Sequence, residues 1–173
     1  DMQEAWKRIA HATPENASWE PGAGGADKIP VPLPGPKFVG VAACARCHDS
    51  PRTGYQFSRW RLSSHARAYA VLSTPAAAEL ASKQGLAGEP RSSPACLKCH
   101  ATAQDLKPGS FLASFSPTEG VGCEGCHGAG SEYMPEAVML DKPAAAGAGL
   151  KQVTRATCTS CHENAHGKPF DLY

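Results

Sequence analysis

Thiols and imidazoles are the groups in this chain best suited to chemistry, and they recur in one pattern. Cys44-Ala45-Arg46-Cys47-His48 is followed by Cys96-Leu97-Lys98-Cys99-His100, Cys123-Glu124-Gly125-Cys126-His127 and Cys158-Thr159-Ser160-Cys161-His162, so every cysteine lies in a CxxCH. On a helical turn, positions i and i+3 face the same way. Two thiols so placed can bond the two vinyl groups of one porphyrin, while the adjacent histidine reaches the iron as proximal ligand. The pattern therefore reads as c-type haem attachment. Structural zinc needs four ligands per ion and gives no reason for a histidine after each second cysteine. Disulfides are disfavoured as well, because cysteines three apart on a helical turn are poor partners. The expectation is four covalently attached haem c groups, with iron held by His48, His100, His127 and His162.

Each iron has two axial positions, and the chain has seven histidines. Four serve as proximal ligands, which leaves His11, His65 and His166 as distal candidates and one position short. A thioether such as Met134 could fill it, raising that haem's potential relative to bis-histidine iron. The alternatives are a five-coordinate haem, or one that takes water or an exogenous ligand.

The elements that must position these groups read as helical. Residues 1–12 read as a short helix ending at His11, and 14–36 as a Pro/Gly/Ala-rich arm with polyproline-like backbone at 29–36. A helix is expected through 54–72, with Leu62, His65, Tyr69 and Leu72 on one apolar face. A second, Ala-rich helix should start with Thr74 as N-cap and Pro75 at its first position, and end at Gly85 or Gly88. Residues 102–118 read as irregular, with at most one short strand pair about Phe111 and Phe115. Residues 131–140 can form a helix and 143–149 a small-residue loop, before the fourth site at 153–163. Around the third site, Gly120, Gly122, Gly125, Gly128 and Gly130 permit backbone to lie close against a porphyrin.

Leu, Ile, Val and Phe make up only 25 of the 173 residues. That is too few for an ordinary protein core of this length, so porphyrins must supply much of the apolar bulk. The fold class expected is mainly α with much irregular coil, a small tetrahaem cytochrome fold wrapped around a haem stack. Two parts are expected: 1–37, an N-terminal helix and arm, and 38–173, the haem domain. With 17 basic and 16 acidic residues, nucleic acid is an improbable partner. No apolar run approaches the ~20 residues of a membrane span. Covalent haem attachment takes place outside the bacterial cytoplasm, so the expectation is an exported, mature protein of the periplasm or cell exterior.

Three features resemble the tetrahaem cytochromes c of ammonia oxidisers, which accept electrons from hydroxylamine oxidoreductase. The first CxxCH is followed by a Trp-bearing segment and Ser-Ser-His-Ala at 63–66. The third site lies in Gly-Val-Gly-Cys-Glu-Gly-Cys-His-Gly-Ala-Gly at 120–130, and the last is followed by Pro169-Phe170-Asp171. The resemblance implies a mainly helical fold with haems in stacked or edge-to-edge pairs. It also implies mostly bis-histidine iron, with one haem lacking a sixth ligand. One departure stands out. Where that family often places a histidine shortly after the Gly-x-Gly, this chain has Ser131-Glu132-Tyr133-Met134, so something else must take the usual ligand's place.

The function expected is electron transfer through a row of haems to redox partner proteins, without an enzymatic site. One alternative is a haem enzyme acting on a small nitrogen or oxygen species at an open iron. The other is a subunit of an extracellular cytochrome filament, a homo-oligomer whose arm carries His11 into the next copy.

Overall fold

Helices end where the haem motifs end. The computed structural model describes residues 35–104, 107–163 and 165–170; the expected helix at 1–12, the proline-rich run to 34 and His11 lie outside them. The CxxCH motifs fall on α1 (Val41–His48), α4 (Pro94–His100), α5 (Cys123–His127) and α8 (Arg155–His162), and each histidine is the last residue of its helix. Between them lie α2 (Gln56–Leu62), α3 (Pro75–Lys83), α6 (Glu136–Met139) and α7 (Lys142–Gly147), with short 3₁₀ turns. No helix among the described residues exceeds the nine of α3. None is long and apolar enough to cross a membrane.

The α3 start follows from its sequence. Thr74 caps it by accepting from the Ala77 N–H, Pro75 opens it, and Gly85 turns the chain away at φ 67° while the Leu86 N–H bonds back to Ala81. That 5-residue closure with a left-handed glycine satisfies the last carbonyls of the helix.

Four local expectations need correction. The helix expected through 54–72 stops at Leu62, because the Ser63 N–H and hydroxyl both turn back to the Trp60 carbonyl. The chain continues as two 3₁₀ turns, His65–Arg67 and Ala70–Ser73. Leu62, assigned to the apolar face, is 80% exposed, whereas Leu72 is buried. The loop expected at 143–149 is largely α7, with the Asp141 carboxylate capping its first turn at the Ala144 N–H. The helix expected over 131–140 shrinks to α6. Phe111 pairs through a parallel bridge with Phe38, leaving Phe115 to pack against both rings. Isolated pairing of this kind is all the β-structure among the described residues, so the chain is mainly helical with much irregular coil.

A small protein core sits where the 37–41 segment threads between the third site and the 110–115 loop. Val39, Val41, Phe115 and Tyr133 are buried there, together with Thr102 and Glu124. Gly40 has φ 83°, and a Cβ on it would lie 2.7 Å from the Ser114 carbonyl oxygen. The close approach of two backbones thus excludes any side chain at that point.

Candidate haem-binding site

In each motif helix the two cysteines and the histidine occupy positions i, i+3 and i+4, one face of a turn. None of the eight cysteines is in a disulfide. Two motif histidines are oriented by main-chain carbonyls. His100 Nδ1 lies 2.8 Å from the Ala68 oxygen, and His127 Nδ1 lies 3.1 Å from the Lys151 oxygen. A carbonyl only accepts, so Nδ1 carries the proton in both rings and Nε2 is left with a lone pair for iron. The His127 carbonyl in turn accepts from the Lys151 N–H at 2.9 Å, fixing that ring from two sides.

Two of the distal candidates lie beside motif histidines. The ring centroids of His65 and His162 are 5.9 Å apart with planes at 67°, and those of His166 and His100 are 6.1 Å apart at 51°. An imidazole nitrogen binds a first-row metal at about 2 Å, so two rings on opposite sides of one iron hold their centroids about 6 Å apart. The residues therefore fit the group that the motifs call for. Partial desolvation of the ring first, and the neighbouring His162 second, push the imidazole of His65, an exposed residue, below its ordinary value, toward the neutral form. His166 adopts φ 55°, an uncommon left-handed conformation for a non-glycine residue. Met134 is 38% exposed, and its N–H bonds the Gly130 carbonyl just after the third site.

Neighbouring sites lie close together. α1 of the first site packs on α5 of the third; before haem attachment the nearness of the two thiols pushes that of Cys44 up and draws that of Cys123 down. The Cys161 sulfur of the fourth site lies 3.9 Å from the Lys98 oxygen of the second, and burial first, then the nearby Cys161, push the Cys99 thiol up. The Cys126 thiol is pushed up by burial and then by Cys158 and Cys161, which places the third site beside the fourth. The first motif thus adjoins the third, and the second and third adjoin the fourth.

Three positioning groups were not legible as such in the sequence. The Glu124 carboxylate, only 4% exposed, accepts four hydrogen bonds of 2.7–3.1 Å from the N–H groups of Val39, Gly40 and Gly130. It ties the segment that enters α1 to the third site. Thr102, two residues after the second motif, donates to the Gly120 carbonyl and accepts from the Gly122 N–H at 2.7 Å. The 65–68 turn serves three sites. It carries the His65 ring, orients His100 through Ala68, and accepts from the Val121 N–H at the His65 carbonyl. Trp60 Nε1 donates to the Val121 carbonyl at 2.8 Å and holds this turn from behind. The third-site glycines serve this protein packing: a Cβ at Gly120 would sit 2.4 Å from the His65 oxygen, and one at Gly122 would sit 2.7 Å from Val41. A single acidic residue inside an otherwise Gly-rich motif was the one available signal for Glu124.

Motifs, ring pairs and adjoining sites together define a multihaem c-type cytochrome, a class in which haem c is bound covalently. Within that class the chain is c554-like. Residues 43–128 match the family described as Cytochrome c554 and c-prime. Cytochrome c-554 of Nitrosomonas europaea is 26% identical over 147 residues, covering 77% of this chain and 60% of that protein. Its reduced-state structure superposes with a TM-score of 0.55 at 26% identity, over 80% of this chain and 71% of that one. A C-type polyheme cytochrome of Geobacter sulfurreducens, OmcC, is 38% identical over 73 residues, which are 39% of this chain and 9% of that protein. The chain spans less than two thirds of either relative's length.

Proposed function

We propose that the chain is an exported electron carrier with four haem c groups in one row, attached at the four motifs in the spatial order first, third, fourth, second. The observation that carries this reading is the pairing of His65 with His162 and of His166 with His100 at the spacing of two imidazoles on one iron. Haem c supplies one-electron chemistry at iron, and the protein sets its position and potential. In this reading His65 and His166 are the distal ligands of the fourth and second sites. Ala68 and Lys151 fix the rings of His100 and His127, and the contacts between motifs keep successive sites adjacent. The irons of His48 and His127 then draw on Met134, on His11, or on no protein ligand at one of them. An open iron there would favour the enzyme alternative. The filament alternative, like the division at residue 37, turns on an arm outside the described residues.

Intact mass of the purified protein should show four haem increments on the 18.1 kDa chain. Electron paramagnetic resonance should then show that His65→Ala and His166→Ala each turn one low-spin haem high-spin, and that the double variant turns two. Unchanged low-spin signals would remove the proposed pairing, and cyanide binding in the parent protein counts any open iron.

A further inference from the structure

The charge of the chain is near zero overall but not evenly laid out. Residues 41–73 contain five of its 17 basic residues, Arg46, Arg52, Arg59, Arg61 and Arg67, and only one of its 16 acidic residues, Asp49. The rest of the chain is therefore net acidic, with 12 basic against 15 acidic residues. All five arginines are exposed. Asp49 accepts from the Ser58 hydroxyl at 2.6 Å, and none of the five is in an ion pair among the described residues.

This stretch is one structural piece. α1 packs on α2, the Thr53 hydroxyl donates to the Cys47 carbonyl, and the Asp49–Ser58 bond closes the same loop. Its α2 helix is amphipathic in an unusual sense. Phe57 and Trp60 form an aromatic pair, with Trp60 bonded to the third-site backbone. Tyr55, Arg59 and Leu62, at i, i+4 and i+7, form a separate stripe, on which Tyr55 is 47% and Leu62 80% exposed. Tyr55 begins the helix at φ 54°, a conformation seldom adopted by a bulky residue and one that concentrates at functional sites. An exposed tyrosine and leucine with an arginine between them has the composition of a protein interface.

We infer that the surface formed by Tyr55, Arg59 and Leu62, on a piece that also carries Arg46, Arg52 and Arg61, docks an acidic redox protein and makes the first haem site the port through which electrons cross the surface. The inference rests on the proposed row, in which the first site is terminal. It adds which end faces the partner and what kind of partner that is. Positive charge not neutralised by carboxylates steers an acidic protein to this face, and the stripe is then buried beside the first attachment motif. An anionic membrane or another polyanion would be drawn to the same arginines. A redox protein is favoured because the patch is continuous with the first attachment motif, through the packing of α1 on α2 and the bond from Thr53 to the Cys47 carbonyl.

The test uses the haem-loaded full chain and a small reduced cytochrome c whose lysines have been succinylated, a polyanionic donor of defined charge, mixed in stopped flow. With the parent protein, the rate of electron transfer should fall steeply between low and physiological salt. The double reversal Arg59→Glu/Arg61→Glu should slow transfer about tenfold at low salt and flatten the salt dependence. Lys107→Glu/Lys142→Glu, the same charge change elsewhere, should cost far less. Unmodified basic cytochrome c should show no such dependence on the arginines. Haem absorbance and thermal melting verify that the variants fold, and Arg59→Gln/Arg61→Gln repeats the test more gently. Equal losses in both reversals, or none in the arginine variants, overturn the inference. So does arginine-dependent binding to phosphatidylserine vesicles with unchanged transfer. Failure of the parent protein to take electrons from any donor overturns the carrier reading as well, whereas arginine-independent transfer overturns the docking surface alone.

Discussion

The third and fourth haem sites carry the same five-residue motif but are held in opposite ways. Around the third, the chain supplies its own dry interior: Val39, Phe115, Tyr133, Thr102 and Glu124 are buried, and hydrogen bonds reach from residue 124 back to 39 and from 121 back to 65. The fourth-site helix buries no residue of its own. It is held locally by its capping box, in which Thr154 and Thr157 each bond the other's backbone N–H. Its tertiary contacts are few and polar or aromatic: Cys161 to the second site, and His162 between the rings of His65 and Phe170. One motif can thus be embedded in a protein core or depend on the porphyrin for its apolar cover.

The sharpest way to break the comparison is to remove the fourth attachment. With Cys158→Ser/Cys161→Ser, hydrogen exchange should show amides of 155–170 close to unprotected, while those of Val39, Gly40 and Val121 remain protected by at least about a hundredfold. Equal loss in both regions would mean that the third site also depends on haem. The converse change is Glu124→Ala, which strands buried N–H groups at Val39, Gly40 and Gly130. We expect a loss of about 3 kcal/mol in denaturant unfolding, since each buried donor left unpaired costs about 1–3 kcal/mol before relaxation. Haem content at the first and third sites should fall before that at the other two, as read by peptide mass analysis.

The smallest effect is expected at Glu119. Its Oε2 accepts from the Val41 N–H at 3.3 Å, while Oε1 is buried without a partner. Burial raises its carboxyl above the ordinary 4.5; the bond from Val41 opposes this and the nearby Glu124 adds to it. The folded chain therefore binds this proton more tightly than the unfolded chain. The resulting stability is present below the unfolded value and is lost as pH rises through the raised folded one. Glu119→Gln, fixed in the neutral form, should flatten the decline in melting temperature from about pH 4 upward. A steeper decline would show that the carboxylate is favoured in the fold.

How much of this was legible in the sequence depended on whether the cause was local. The four motif helices and the Thr74-Pro75 start were readable, because cysteine spacing and capping act within one turn. α7 was readable in principle from Asp141 and Pro143, but its run of Ala and Gly disguised it. The break after Leu62 was not readable, since the 65–68 turn is drawn off the helical path by Val121 and by His100, residues from elsewhere in the chain. Likewise nothing near residue 39 announces that its N–H will meet Glu124. The attachment residues follow from spacing alone, and which sites adjoin only from contacts that spacing does not encode.

The contact between His65 and His162 also bears on how the chain is made. It joins positions 65 and 162, and closing a loop of that length costs about 4 kcal/mol of chain entropy, against only a few tenths less for the loop from His100 to His166. A chain emerging from its N-terminus exposes the 65–68 turn long before the last helix exists to meet it. Assembly is therefore non-local and slow by its topology. Until the C-terminal helix arrives, the His65 ring has no counterpart, and a chain cut short near residue 150 leaves the 65–68 turn without the contact that completes it.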